Sequence, residues 1–432
     1  MINIVEKYLC CGCEACVQAC PKHCISFDAD QEGFRYPVVS QKQCINCGLC
    51  EKVCPVINQS NAREPLHSYA AKNNCEVERL KSSSGGVFIM LAKKTIGEGG
   101  VVFGARFDDK WNVVHSYTET IDGIKPFMGS KYVQSRIGDS YIKVREFLLV
   151  GRKVLFSGTP CQITGLKRFL RKDYDNLLTV DLICHGVPSP AVWQQYLEEI
   201  KENAHLGVNS VSLPLNPPIS ECEALASGRE VEIKSISFRD KRLGWKKFSF
   251  ALTLAEASAD GKKNTVSLSQ IHDNDPYFLG FNDFNLYLRP SCMKCPTRDL
   301  RSGSDITLAD FWGIETLKPE LDDDKGISVI MTNTNKGQLM VQSLGIELHS
   351  VSFTDIVSRN SSIKMNSIPT PLSGNEIFVY RKWFSTKRDY FFYDSKRNVI
   401  ERVKLLGKPS FKQLIRSFLK KVYYSINKRQ KE

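Results

Sequence analysis

Eight cysteines set the terms on which this chain can fold. Cys10-x2-Cys13-x2-Cys16-x3-Cys20-Pro21 recurs 34 residues later as Cys44-x2-Cys47-x2-Cys50-x3-Cys54-Pro55. A tight C-x2-C-x2-C loop can give three thiolates to a [4Fe–4S] cube, and the cysteine before proline reaches across to the cube of the other run. The spacing predicts one cluster on Cys10, Cys13, Cys16 and Cys54, and a second on Cys44, Cys47, Cys50 and Cys20. A pair of zinc knuckles is the alternative, and two complete copies each closed by proline argue against it. Cys11 and Cys24 fall outside the spacing and are expected to be small buried side chains packed near a cluster.

Ten of the chain's sixteen cysteines lie in its first 54 residues. Met1–Glu6 has neither the basic flank nor the apolar stretch of an export signal, and no apolar run approaches the roughly 18 residues of a membrane span. The expected location is therefore the cytoplasm, where dense cysteine points to metal rather than to disulfides.

Asn58–Pro65 is polar and reads as a linker. Beyond it, helices and strands alternate as in an α/β or α+β core. Helical periodicity over Gly86–Ile96 ends at Gly97 and Gly99. Val101–Phe107 and Val113–Thr118 alternate as strands around the turn Asp108-Asp109-Lys110. Tyr141–Leu149 reads as a helix capped by Asp139 or Ser140, Lys153–Phe156 as a buried strand, and Thr159-Pro160 as a helix start. Leu177–Ile183 is a further strand, and Ser189-Pro190 opens a helix running to about Ala204. Strands are expected again at Glu230–Phe238, Lys247–Leu254 and Ile327–Thr332, with polar irregular loops over 205–230 and 255–275.

Four further cysteines, Cys161, Cys184, Cys292 and Cys295, stand at element ends or in loops, where ligands commonly lie. Cys161 starts a helix, whose N-terminus lowers a thiol pKa and suits a ligand or a nucleophile. Taken one at a time each fits a structural cysteine, and the Cys292-x2-Cys295 pair fits zinc as well. Ser82-Ser83-Ser84-Gly85-Gly86 precedes a helix and is suited to an anion at its positive end, although a serine-rich cap explains it equally.

Six stretches occur in order: SSSGGVF (82–88), GSKYVQS (129–135), GTPCQ (158–162), DLICHGVP (181–188), CMKCPTRD (292–299) and DITLADFWG (305–313). Together they resemble the beta subunit of coenzyme F420-reducing hydrogenases and related dehydrogenases. The resemblance runs over about 65–315, and plant-type 7-hydroxymethyl chlorophyll reductases look similar. It implies an FAD and a third [4Fe–4S] cluster, with Cys161, Cys184, Cys292 and Cys295 as the cluster's ligands. It also implies a flavin near Ser83, Ser84, Gly85, Gly86 and Val87, with Lys131, Tyr132, Gln162 and Asp310 close by.

The expected fold class is α+β / α/β, in which a bacterial-type ferredoxin fold (1–60) precedes a mixed α/β flavin-binding domain. That domain divides into an N-terminal flavin region (65–148) and a C-terminal flavin and iron–sulfur region (149–330), and a basic extension follows (331–432).

These parts imply an iron–sulfur flavoprotein oxidoreductase. It would pass single electrons from an external donor through the clusters to FAD, in either direction. The flavin would trade an electron pair with a small redox substrate, a deazaflavin like coenzyme F420 or another metabolite. The alternative is a non-catalytic subunit that hands electrons to a partner enzyme. His185, next to Cys184, is the one candidate acid or base, and a histidine merely hydrogen-bonded beside a cluster accounts for it as well.

The net charge of +12 is carried entirely from residue 351 onward, where 18 Lys/Arg face 6 Asp/Glu. Phe411, Leu414, Ile415, Phe418, Leu419, Val422, Tyr423 and Ile426 recur at helical spacing. With basic residues off that stripe and aromatics among basic residues over Phe378–Phe392, peripheral contact with an anionic membrane is expected. The competing expectation is a helix docked on the protein's own body. No nucleic-acid module is recognisable.

Overall fold

The computed structural model describes residue 2 and residues 6–205, 231–257, 263–359, 387–389, 391, 392, 394 and 396–406. The Phe411–Ile426 stripe and the loop expected over 206–230 lie outside these residues.

Residues 6–58 form a small unit in which two short helices, α1 (Ala15–Gln18) and α2 (Leu49–Lys52), flank a hairpin of β1 (Ile25–Ala29) and β2 (Arg35–Val39). Both helices are entered through a residue in the left-handed region, Glu14 and Gly48. The rest is built on an eight-stranded sheet. β3 (His67–Ala71) is followed by helices α3 (Glu76–Lys81) and α4 (Val87–Gly97), then by strands β4 (Val101–Phe107) and β5 (Val113–Thr118). Helix α5 (Ser140–Leu149), strand β6 (Val154–Gly158), helix α6 (Pro160–Leu170), strand β7 (Leu177–Leu182) and helix α7 (Pro190–His205) come next. An antiparallel three-stranded sheet of β8 (Val231–Asp240), β9 (Ser249–Ala257) and β10 (Lys263–Ile271) interrupts the alternation. β11 (Ile306–Asp310), β12 (Ser328–Thr332) and β13 (His349–Ser350) complete the large sheet, in the order β13-β3-β12-β11-β7-β6-β4-β5.

The four central strands, β11, β7, β6 and β4, are parallel. They read as near-continuous apolar runs because both faces are covered. β7 is buried from Leu177 to Asp181 and β6 from Val154 to Phe156. Where such strands end, the loops converge on one edge of the sheet, the usual place for a site in an α/β fold.

Two expectations are corrected. The region 255–275 is not a loop: β9 and β10 pair from Ser249↔Ile271 to Ala257↔Lys263. Its alternation of apolar and polar residues suits a sheet with one face covered, where Phe250 of β9 meets Trp193 and Tyr196 of α7. The end of the Phe378–Phe392 segment is not a surface either. Phe391 is fully buried against Tyr287, and Lys387 is buried too.

The linker expected over 58–65 is fastened rather than free. Arg63 donates to the carbonyls of Leu300 (2.7 Å) and Ser304 (2.7 Å). Gly85 is required by the sheet: a Cβ there would stand 2.6 Å from Ser328 N and 2.7 Å from Ala71 O. Both are backbone atoms in paired strands and cannot yield. Gly85→Ala should therefore destabilise the protein by about 1–3 kcal/mol, the range for overpacking a filled core. The midpoint of urea unfolding measures this, and an unchanged midpoint would show that β3 and β12 can part at that point.

Candidate redox site

The first thiol set is assembled by the small N-terminal unit. Cys54, brought back by α2, comes beside Cys10, Cys13 and Cys16, and their mutual repulsion shows in the thiol acidities. The Cys16 thiol is pushed far up by burial and then by Cys10, Cys54 and Cys50. Cys20, Cys44, Cys47 and Cys50 line one cavity with Cys24, Ile25 and Val39, and the Cys20 and Cys24 sulfurs are 3.4 Å apart. Both sets have the composition that the spacing predicts.

A third set forms at the carboxyl edge of the parallel strands. Cys161 lies in the first turn of α6, directly after β6, and Cys184 follows β7. Cys292 and Cys295 come from the loop after Pro290. Burial raises the Cys184 thiol, and Cys292, Cys161 and Cys295 raise it further. Cys292 is pushed up to about 12 by burial and then by Cys295. Four sulfurs that raise one another's pKa are costly to ionise together unless a cation shares them, and this donor chemistry fits a thiolate-held cluster. Among the described residues no three His, Cys, Asp or Glu side chains close to the spacing of one bound ion.

Cys11 joins the first and third sets. It is buried, and it packs in one cluster with Cys13 and Cys161. Helix α6 can come this close only because Gly165 lacks a side chain. A Cβ there would meet Cys13 Cβ at 3.0 Å and Cys13 Sγ at 3.2 Å. α6 starts on a capping box in which Gln162 Oε1 accepts the Thr159 N–H at 2.9 Å.

Arg289 locks the N-terminal unit in place. Its guanidinium is fully buried and donates to Cys10 O (2.7 Å), Arg35 O (2.9 Å) and Gln134 Oε1 (2.9 Å). Its face lies over the rings of Tyr36 and Phe34. Nearby, Gln18 Oε1 accepts the N–H groups of Tyr141 (3.0 Å) and Ile142 (3.2 Å), so a side chain of the small unit satisfies the start of α5.

The residues associated with a flavin fall into connected groups. Ser83 Oγ accepts from Ser130 N (2.6 Å) and Ser130 Oγ (2.8 Å), which ties the serine loop to the loop bearing Lys131 and Tyr132. Tyr132 and Asp310 meet at Arg239, whose Nη1 is 3.1 Å from Tyr132 Oη and 2.8 Å from Asp310 Oδ2. Ser84 O accepts from Lys241 Nζ at 2.7 Å. Gly86 caps α4 from the left-handed region at φ +81° with no side-chain cap on the helix, and Val87 is its first residue.

Gly85 faces inward: its N–H donates to Ser328 Oγ and its carbonyl accepts from Asn73 N. Its missing side chain therefore leaves room for the backbone of the sheet. Gln162 Nε2 donates to Ser135 Oγ (2.8 Å), which bonds His115 Nδ1 (3.0 Å), while His115 Nε2 reaches Ser157 O (3.1 Å). Burial pulls His115 down to about 4, so the ring is neutral.

His185 Nε2 bonds Asn285 Oδ1 at 2.6 Å, and burial lowers its pKa. Arg239, Lys241, His115 and Arg289 were not singled out from the sequence. Arg289 alone carries a hint, as Arg289-Pro290 immediately precedes the Cys292-x2-Cys295 pair.

Residues 9–58 match the family model of the 4Fe-4S dicluster domain, and residues 151–355 match that of the C-terminal part of the coenzyme F420 hydrogenase/dehydrogenase beta subunit. The thiol sets and the first of these matches thus define an iron–sulfur protein with a ferredoxin-type dicluster unit. More particularly, residues 151–355 carry the C-terminal part of the coenzyme F420 hydrogenase/dehydrogenase beta-subunit family, and residues 9–58 a 4Fe–4S dicluster domain.

It is 28% identical over 203 residues to the coenzyme F420-dependent sulfite reductase of Methanocaldococcus jannaschii, covering 45% of this chain and 30% of that protein. It is 33% identical over 75 residues to a ferredoxin of Mycolicibacterium smegmatis, covering 17% of this chain and 66% of the ferredoxin. The chain therefore spans less than a third of the first relative. A solved structure of the F420-reducing [NiFe] hydrogenase complex from Methanosarcina barkeri aligns with 76% of this chain and 90% of the matched chain. That alignment has 16% identity and a TM-score of 0.40, and nothing further rests on it. Among the described residues no helix is long and apolar enough to cross a membrane.

Removing the Arg289 guanidinium would leave three buried acceptors unsatisfied, each costing about 1–3 kcal/mol. Arg289→Ala should expose the 58–65 segment to protease, and Arg289→Lys should not rescue it, because a point charge cannot serve three acceptors in one plane. Equal cleavage rates in wild type and Arg289→Ala would show that the other contacts hold the unit alone.

Proposed function

We propose that this chain is an iron–sulfur flavoprotein oxidoreductase, linking a one-electron donor or acceptor to a small organic substrate that exchanges an electron pair. The observation that carries this reading is the meeting of Cys161, Cys184, Cys292 and Cys295 beside Cys11 and the first dicluster set. Cys10, Cys13, Cys16 and Cys54 would hold one [4Fe–4S] cluster, Cys20, Cys44, Cys47 and Cys50 a second, and the four later cysteines a third. When bound, FAD would supply the change from single electrons to a pair. The substrate class that the family name suggests is a deazaflavin of the coenzyme F420 kind.

The chain's own groups would do the binding. Among the described residues Lys131 donates to the main-chain carbonyls of Pro126 (2.7 Å) and Met128 (2.9 Å), and desolvation pulls its pKa to about 7. Lys241 donates to the carbonyls of Arg79, Ser84 and Lys325, and is also pulled to about 7, by desolvation and then by Arg239. Two desolvated ammonium groups beside an uncapped helix start favour an anion such as a pyrophosphate. Tyr132 and Asp310, held by Arg239, would line the same region, and Gln162 would orient it through Ser135. The neutral His185, fixed by Asn285, would help shape the surroundings of Cys184 rather than transfer a proton.

Anaerobic preparations should contain about twelve iron atoms per chain, four for each cubane, and Cys161→Ser should lower this to about eight. Near eight iron with one tightly held zinc in the wild type would sink the third cluster. Lack of FAD both on isolation and after reconstitution would sink the flavin.

Flavin retention should also depend on pH. Lys131 is charged below about 7, so an anionic ligand is held best there and released as the pH rises. The bound anion stabilises the proton and places the release curve on the alkaline side of 7. Filtration of free FAD between pH 6 and 10 measures it, and Lys131→Gln should flatten the curve. A curve that Lys131→Gln leaves unchanged would remove Lys131 from the site.

A further inference from the structure

The two dicluster thiol sets face different surroundings. Cys10, Cys13, Cys16 and Cys54 are all buried, Cys13 against Cys11 and α6, whereas Cys47 is exposed and Cys44 half-buried. The cavity lined by Cys20, Cys44, Cys47 and Cys50 is bordered by Lys22, Ile45, Gly48 and Leu49. Ile45 is 58% exposed, an unusual position for an isoleucine between two cysteines.

The charge around this opening is mainly positive, with half-buried Glu51, between Cys50 and Lys52, the carboxylate beside it on α2. Lys22 borders the cavity, Lys42 lies two residues before Cys44, and Lys52 ends α2 two residues after Cys50. All three are exposed. The acidic residues of the same hairpin sit at its other end. Ile25 and Val39, which pair with each other, line the cavity, while Asp28, Asp30 and Glu32 lie about three to seven residues further along the hairpin. At about 3.3 Å per residue that separation is roughly 10 Å or more. Glu32 is also neutralised by an ion pair with Arg388.

We infer that the surface around Cys47 and Ile45, rimmed by Lys22, Lys42 and Lys52, is the docking face for a small acidic one-electron carrier protein. This rests on the reading above that the four cysteines hold a cluster. One electron passes between the carrier's centre and that cluster, with no bond made or broken and no proton moved. A single exposed isoleucine within a ring of lysines suits a transient encounter, steered by charge and small in contact area, rather than a permanent interface. The buried set then faces inward, towards Cys161, and the exposed set is the outer port.

The test uses the full-length protein loaded with its clusters and two electron donors. One is a reduced [2Fe–2S] ferredoxin of net negative charge, and the other is reduced 1-methyl-1'-(3-sulfonatopropyl)-4,4'-bipyridinium, a small viologen donor whose radical cation and single sulfonate leave no net charge. Stopped-flow bleaching of the clusters should show that Lys22→Glu/Lys42→Glu/Lys52→Glu slows reduction by the ferredoxin at least about tenfold at low salt and removes its salt dependence. Reduction by the viologen should stay within about twofold of wild type, since uncharged donors feel no steering. If the triple variant loses iron, the triple Lys→Gln variant is used in its place, with a smaller fall in the same direction. Equal rates with the acidic ferredoxin in wild type and variant would overturn the docking face. Failure of the wild type to bleach with the viologen would instead overturn the cluster reading beneath it.

Discussion

A single buried guanidinium makes the dicluster unit part of the body rather than a module on a string. Arg289 must be desolvated to sit where it does, a cost that only good hydrogen bonds repay. Its partners come from three places: the Cys10 carbonyl of the first cysteine loop, the Arg35 carbonyl of β2, and Gln134 of the loop that also carries Lys131 and Tyr132. The same residue is followed by Pro290 and the Cys292–Cys295 loop. One side chain thus fixes the distance between the first thiol set, the third thiol set and the candidate flavin region. The close contacts of Gly33 with Ala191 and of Gly165 with Cys13 require the same docked position.

Docking matters because electron transfer falls off steeply with distance. A unit that swung on a flexible linker would leave the gap between its clusters and the body undefined. Here Arg63 pins the connecting segment, Gln18 caps α5, and Cys11 fills the space between Cys13 and Cys161 with a polarisable sulfur. The expectation for Cys11, a small buried side chain near a cluster, is consistent with its position but understates it, since the residue touches both sets. Crowding of thiols has a second consequence. In the third set burial and the neighbouring sulfurs raise the pKa of Cys184, Cys292 and Cys295, so these thiols stay neutral until a cation replaces their protons, and loading is coupled to proton release.

The parts legible in the sequence are those whose cause is local. Cysteine spacing, the Thr159-Pro160 start of α6, the Asp139 cap position of α5 and the strand alternation of β4 and β5 all rest on neighbours within a few residues. What stayed hidden depends on distant partners. Arg239 meets Asp310 71 residues away, and Arg289 meets Cys10 279 residues away. Gly85 also has a distant constraint, the backbone of β3 and β12 against which it packs, which no local pattern reveals. The β9–β10 hairpin was missed because its serines, lysines and asparagine dilute the apolar alternation that one covered face leaves behind.

The C-terminal region shows why a concentration of charge does not define a surface. Its excess of basic residues, read alone, suggests an anionic partner. Within residues 387–406 several of those charges are spent on the protein itself. Arg388 pairs with Glu32 and donates to the carbonyls of Leu286 and Leu288. Arg402 donates to Phe391 O (2.7 Å) and Gln195 Oε1 (3.1 Å) with its face over the Phe391 ring. Val399, Ile400, Val403 and Leu406 join the core that also holds α7 and β8. Glu199 on α7 accepts the N–H groups of Val399 and Ile400, which satisfies the start of the helix Val399–Leu406. In this stretch the arginines act as long donors that tie a late segment of the chain to carbonyls of earlier ones. A membrane role would therefore gain nothing from Phe391, Arg388 or Arg402, which are committed to the protein's own body.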